Sequence, residues 1–168
     1  MRVPKRKSGK YSSSIPTDTF MTPEKLTQLE AQLDRLKQVS RPRAALEAKR
    51  LAEMGDLSDN AAYSIAKGRL RGINQRIEDL ERQIHNASVI DAPTQTDRVA
   101  IGNHVTVEIN GAQQTYHLLG SSETRPEAGV ISHVSPLGAA LKGRKVGETV
   151  EVHLAADKTL TVTIKDIK

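Results

Sequence analysis

A chain of 168 residues, 37% hydrophobic and 27% charged, is long enough for one or two small domains with a real core. It contains no cysteine, which removes disulfides, thiolate metal sites and cysteine nucleophiles and suits a cytoplasmic protein. No apolar run approaches a membrane span and no signal peptide is legible, so no membrane partner is expected.

The net charge of +5 is concentrated near the N-terminus, where Arg2, Lys5, Arg6, Lys7 and Lys10 stand against Asp18 alone. Residues 1–20 are also Ser-rich and lack apolar periodicity, so they read as a disordered basic tail. Such a tail can touch nucleic acid or an acidic protein surface, or act only as a solubilising arm. Aromatic residues are scarce: beyond the tail only Tyr63 and Tyr116 remain, and tryptophan is absent. A base-stacking platform for single-stranded nucleic acid needs several exposed rings, and this chain cannot build one.

Order is expected from Met21. Thr22 suits a helix N-cap, Pro23 the first turn, and Glu24 the positive end of the helix dipole. Leu26, Leu29, Leu33, Leu36 and Val39 follow helical spacing, Pro42 predicts a bend near Arg41, and helical character resumes in "AALEAKRLAEM". Beyond "GDLSDN" a second series, Leu70, Ile73, Ile77, Leu80, Ile84 and Ala87, steps by three and four as a heptad seam does. Facing residues of an antiparallel hairpin keep a constant index sum. Leu36 with Leu80, Val39 with Ile77, Leu46 with Leu70 and Leu51 with Ile65 all share one, which centres the turn near residue 58. Residues 21–91 therefore read as an antiparallel two-helix coiled coil. Asp56 and Asp59 lie at the far end of a rod roughly 45 Å long, at about 1.5 Å per helical residue. A turn with almost no core beneath it is a poor place for stabilising residues and a good place for reaching something.

"DAPTQTDR" makes residues 92–98 a linker. From there the apolar period changes to two. "HVTVEING" and "TYHLLG" read as strands joined at Asn110-Gly111, the strongest short hairpin signal. "GVISHVSPLGAALKGRKVGETVEV" reads as strand, short helix, turn and strand, with Ser135 as cap, Pro136 in the first turn and Gly143 at the helix end. A last alternating strand, "TLTVTIKDI", closes residues 99–168 as a small antiparallel sheet with one short helix. The fold class is α+β.

The residues resemble the bacterial transcript cleavage factors of the GreA/GreB family from Met21 to Lys168. "MTPEKLTQLEAQLDRL" resembles the family's opening helix, "GDLSDNAAY" its tip motif, and "NASVID" its exit from the second helix. "VISHVSPLGAALKGRKVGE" is similar to the C-terminal signature, with Ser135, Pro136, Leu141 and Gly143 in place. The resemblance implies an N-terminal coiled coil followed by an FKBP-like domain. It further implies a non-enzymatic partner of RNA polymerase, working as a monomer, whose coiled coil enters the secondary channel. There Asp56 and Asp59 would help hold the second catalytic Mg²⁺, and the polymerase would cleave backtracked RNA near its 3′ end.

Physical chemistry is consistent with that division of labour. Two carboxylates alone make a weak Mg²⁺ site, because the ion needs further oxygen ligands. Added to a metal already held by another protein, they can complete a two-metal clamp. Their bland alternative is a solvated turn whose acids cap the second helix. Two departures stand out: the second acid is Asp59, where the family usually has the longer Glu, and Ala62 occupies a position that is often acidic.

The resemblance also places a basic patch for the RNA 3′ portion at Lys67, Arg69 and Arg71, against the plain alternative of a solvated helix face that extends to Arg76. It assigns tip support to Gly55, Asn60 and Tyr63, and polymerase docking to Ser135, Pro136 and Leu137. No histidine pair has metal-ligand spacing, and no serine sits in a nucleophile elbow. A prolyl isomerase pocket would need aromatic lining, and residues 99–168 offer only Tyr116. Two other readings remain: a secondary-channel regulator with weak or no cleavage stimulation, and a coiled-coil interaction protein without a polymerase role.

Overall fold

The computed structural model describes residues 18–54, 61–91, 96–154 and 158–168. The stretch expected to be a disordered tail lies outside the described residues up to position 17. Asp18, Thr19 and Phe20, which sequence placed in that tail, are built into the fold. Strand β1 (Phe20–Met21) pairs in parallel with β2 (Ser88–Val89), so the segments that enter and leave the helical hairpin are tied together. The Ser88 N–H donates to the Thr19 carbonyl at 2.8 Å and the Ile90 N–H to Met21 at 2.9 Å.

Helix α1 (Pro23–Arg35) starts as its sequence predicts. Thr22 is extended, its hydroxyl oxygen accepts the Lys25 N–H at 3.2 Å, and Pro23 occupies the first turn. A π-helical turn over Leu36–Ser40 leads into α2 (Arg41–Glu53), and α3 (Ala61–His85) returns antiparallel to both. The π-turn is how the chain accommodates Pro42. Proline cannot donate to the carbonyl four residues earlier, and the Arg41 N–H instead reaches back five residues to Leu36.

This one-residue insertion rotates α2 about its axis, and the seam changes composition as a result. Near the base, Met21, Leu29 and Leu80 are buried together with Leu26, Leu33, Leu36 and Ile84 packed around them. Each of the three buried side chains contributes about 1.5–3 kcal/mol of transfer energy, and the partly buried ones less. Beyond the π-turn the buried residues are Ala44, Ala48 and Ala66. The pairings expected of Leu46 with Leu70 and Leu51 with Ile65 are not made as a leucine seam: Leu46 is 70% exposed and Ile65 72%. The antiparallel register itself is as expected. Lys37 meets Glu81 at 2.6 Å and Arg69 meets Glu47 at 3.6 Å across the hairpin.

The second domain contains β3 (His104–Ile109), β4 (Ala112–Leu119), β5 (Val130–Ser132), α4 (Pro136–Leu141), β6 (Thr149–Leu154) and β7 (Lys158–Ile167). The β3–β4 turn is Asn110-Gly111, both with positive φ (52° and 80°), as a two-residue hairpin requires. The strand order is β5-β4-β3-β7-β6. Sequence predicted an antiparallel sheet throughout. The β4–β5 edge is parallel, because the chain between them runs back through two short 3₁₀ turns. A register shift between Thr106 and Val107 lets both Ile164 and Ile167 of β7 face inward despite their odd spacing. They join Val105, Val107, Leu118 and Leu141 in the core beneath α4.

Candidate functional site

Gly55, Asp56, Asp59 and Asn60 lie outside the described residues. The structure does describe their platform: α2 ends at Glu53 and α3 begins at Ala61, at the end of the hairpin away from the β domain. From Pro23 to Glu53 the first arm climbs about 46 Å, at 1.5 Å per residue. Tyr63 is half-buried at the start of α3, and the Lys67 ammonium lies 5.9 Å from its ring centroid, within cation–π range.

The three basic candidates do not form one patch. Residues two apart on a helix point some 200° away from each other. Arg69 turns toward the first arm, where it meets Glu47, whereas Lys67 and Arg71, four apart, share the other side. Arg71 and Arg76 are exposed. Sequence reading missed that Arg69 shares a shallow groove with Arg35 and Arg43, which α1 and α2 bring alongside it. No local pattern announces this, because the π-turn decides which face of α2 Arg43 occupies. The Arg69–Glu47 pair is largely solvated and worth under about 1 kcal/mol, so it does not immobilise the arginine.

Of the three residues expected to dock, Ser135 is used internally. Its hydroxyl donates to the Ser132 carbonyl at 2.6 Å and accepts the Gly138 N–H at 3.1 Å, which caps α4. Leu137 is half-buried against the core, while Pro136 and its neighbour Val134 are exposed. The surface therefore presents Val134 and Pro136, and Ser135 holds them in shape.

Among the described residues no group of three His, Asp or Glu side chains can hold a metal ion. His104 and His117 stack with ring centroids 3.9 Å apart, and His117 Nε2 is 3.2 Å from the Gly102 carbonyl. Burial lowers the His117 pKa below the usual histidine value, and the neighbouring His104 adds to that effect. The Gly102 carbonyl and Glu123 oppose it.

Among the described residues a further polar cluster lies at the junction of the hairpin with the β domain. Asp18, Ser121 and His133 meet there, as do Thr22 and Glu123. Sequence reading named Thr22 only as a helix cap and missed the cluster, because the partners are about a hundred positions apart.

Two antiparallel helical arms, joined through an acidic segment that lies outside the described residues and followed by a mixed-sheet domain, define the class of protein to which the chain is compared. The model for the N-terminal domain of transcription elongation factors matches residues 19–89, and that for the GreA/GreB C-terminal domain matches residues 94–168. The chain belongs to the GreA/GreB family of transcription elongation factors. It is 38% identical over 139 residues to transcription elongation factor GreA of Christiangramia forsetii, covering 81% of this chain and 88% of that one. To the GreA of Rhodospirillum rubrum it is 42% identical over 135 residues, covering 79% and 86%. The crystal structure of Thermus aquaticus Gfh1 superposes with a TM-score of 0.41 at 22% identity, covering 90% of this chain and 98% of that one.

Proposed function

We propose that this protein binds RNA polymerase and stimulates the polymerase's own cleavage of backtracked RNA, with no catalytic centre of its own. The observation that carries the reading is the family match across both halves of the chain; in support, "GDLSDNAAY" begins in the sequence between the end of α2 and the start of α3. The β domain would dock through the surface around Val134, Pro136 and Leu137. The hairpin would extend into the secondary channel, and Asp56 and Asp59 would offer carboxylate oxygens at its end.

Those two residues are too few to hold Mg²⁺ alone, so the ion would be one the polymerase already binds. A second metal in such a site supplies a Lewis acid and an activated water. The chain's own part is to bring carboxylates to that place and hold them there. Arg69, with Arg35 and Arg43 beside it, is suited to phosphates of the RNA 3′ end, as are Lys67 and Arg71 on the opposite side.

The test is a backtracked elongation complex carrying end-labelled RNA. Adding the protein should accelerate release of short 3′ fragments well above the polymerase's own rate. Slower cleavage than polymerase alone, with binding retained, would favour the inhibitory secondary-channel regulator instead. The specific observation that keeps that second reading is Asp59, one methylene shorter than the usual acid.

A further inference from the structure

The junction between hairpin and β domain is held by two carboxylates exchanged in opposite directions. The Asp18 side chain precedes the hairpin and is 3% exposed. Its Oδ2 accepts the Ser121 N–H at 2.6 Å and the Ser121 hydroxyl at 3.0 Å, both from the β domain. Its Oδ1 accepts the Phe20 N–H at 3.1 Å. His133 Nε2 lies 3.1 Å from Oδ2, a close approach without good hydrogen-bond alignment. In the other direction, Glu123 of the β domain accepts the Thr22 N–H at 2.8 Å and the Thr22 hydroxyl at 2.6 Å. Glu123 thereby adds a carboxylate to the N-cap of α1, where the helix dipole favours negative charge. The backbones also approach closely: a methyl group at Gly120 would overlap the Phe20 carbonyl oxygen.

We infer that Asp18 and Glu123 are positioning residues that fix the direction in which the hairpin leaves the β domain. The physical need follows from the lever. A tilt of about 2° at the base moves the end of an arm of about 46 Å by about 1.6 Å. A displacement near 1 Å can cost about a hundredfold in a reaction that depends on alignment. Packing alone resists tilt weakly here, since the contact of the hairpin side with the β domain is concentrated where β1 meets the short 3₁₀ turn Ser121–Glu123. Short charge-assisted bonds from one domain to the first residues of the other are directional, and they act at the pivot. Thr22 joins both functions, because the residue that starts α1 is also the residue Glu123 grips. The catalytic consequence rests on the proposed function; the geometric claim does not.

The cysteine-free chain permits a direct test. Spin labels are placed at two exposed positions, Glu78→Cys on α3 and Lys142→Cys on the β domain, and the distance distribution is measured in the free protein. The otherwise native chain should give one narrow distribution. Asp18→Asn with Glu123→Ala should broaden it at least twofold, and Gly120→Ala should do so by steric means, with helical circular dichroism unchanged. In the cleavage assay the same variants should keep half-saturating concentrations within about twofold while the rate at saturation falls tenfold or more. Glu123→Gln, which retains one acceptor oxygen, should recover part of that loss. A distribution as narrow as that of the native chain in both the double variant and Gly120→Ala would overturn the inference, whatever cleavage does. Absence of cleavage stimulation by the otherwise native chain would refute the proposed function and leave the distance result to decide this one.

Discussion

Replacing Leu46 by alanine separates the seam drawn from heptad spacing from the seam the π-turn creates. On the heptad seam Leu46 faces Leu70, and its truncation would cost about 2–5 kcal/mol, as for a buried leucine. In the structure Leu46 is 70% exposed. Only about a third of its transfer energy is then at stake, roughly 0.5–1 kcal/mol. Leucine and alanine have similar helix propensities, so little is added from that source. The control is Leu80→Ala, whose side chain is fully buried in the basal cluster with Met21 and Leu29; it should cost about 2–5 kcal/mol. Thermal unfolding followed by helical circular dichroism reads both. At about 2–4 °C per kcal/mol for a chain of this size, Leu46→Ala should lower Tm by less than about 4 °C and Leu80→Ala by clearly more. A Leu46→Ala loss equal to that of Leu80→Ala would refute the rotated seam.

Other consequences can be checked with the same protein. If reach limits the shortened acid, Asp59→Glu should raise the cleavage rate above that of the native chain, and an unchanged or lower rate would show that Asp59 already fits. Residues 92–168 alone should bind polymerase and compete with the full chain, and failure of that fragment, shown to be folded, would move the anchor to the hairpin. Deleting residues 1–16, which spares Asp18, should flatten the salt dependence of complex formation if the basic residues meet phosphates, by about 0.7 to 0.9 in log–log slope for each phosphate no longer neutralised. Because the folded His117 has a lowered pKa, the unfolded chain binds its proton first as pH falls. Stability should therefore be present above the ordinary histidine pKa and decline as pH falls through it. His117→Gln should remove part of that decline, and an unchanged slope would exclude His117 as its source.

Much of this architecture is legible in the sequence because it is written in local rules. Thr22-Pro23 and Ser135-Pro136 start helices, Asn110-Gly111 turns a hairpin, and the mirror order of two apolar series specifies an antiparallel rod. What escapes is what depends on a single inserted residue or on distant partners. Heptad counting assumes unbroken α-helical phase, so the π-turn before Pro42 carried Leu46 off the seam and put alanines there. The parity of β7 breaks at a bulge for the same reason. The parallel β4–β5 edge follows from how the intervening loop folds back, which strand periodicity does not encode. Asp18 reads as part of the basic tail, and only the fold brings Ser121 and His133 to it.

The central claim, proposed above, is that this chain assists cleavage by delivering the carboxylates of Asp56 and Asp59. It is tested most directly by comparing the native chain with Asp56→Asn, Asp59→Asn and the double substitution on backtracked complexes, with polymerase binding measured in parallel. Asparagine preserves size and removes charge. Each substitution should abolish stimulated cleavage while the protein still binds and competes with the native chain. Full cleavage by the double variant would contradict the claim.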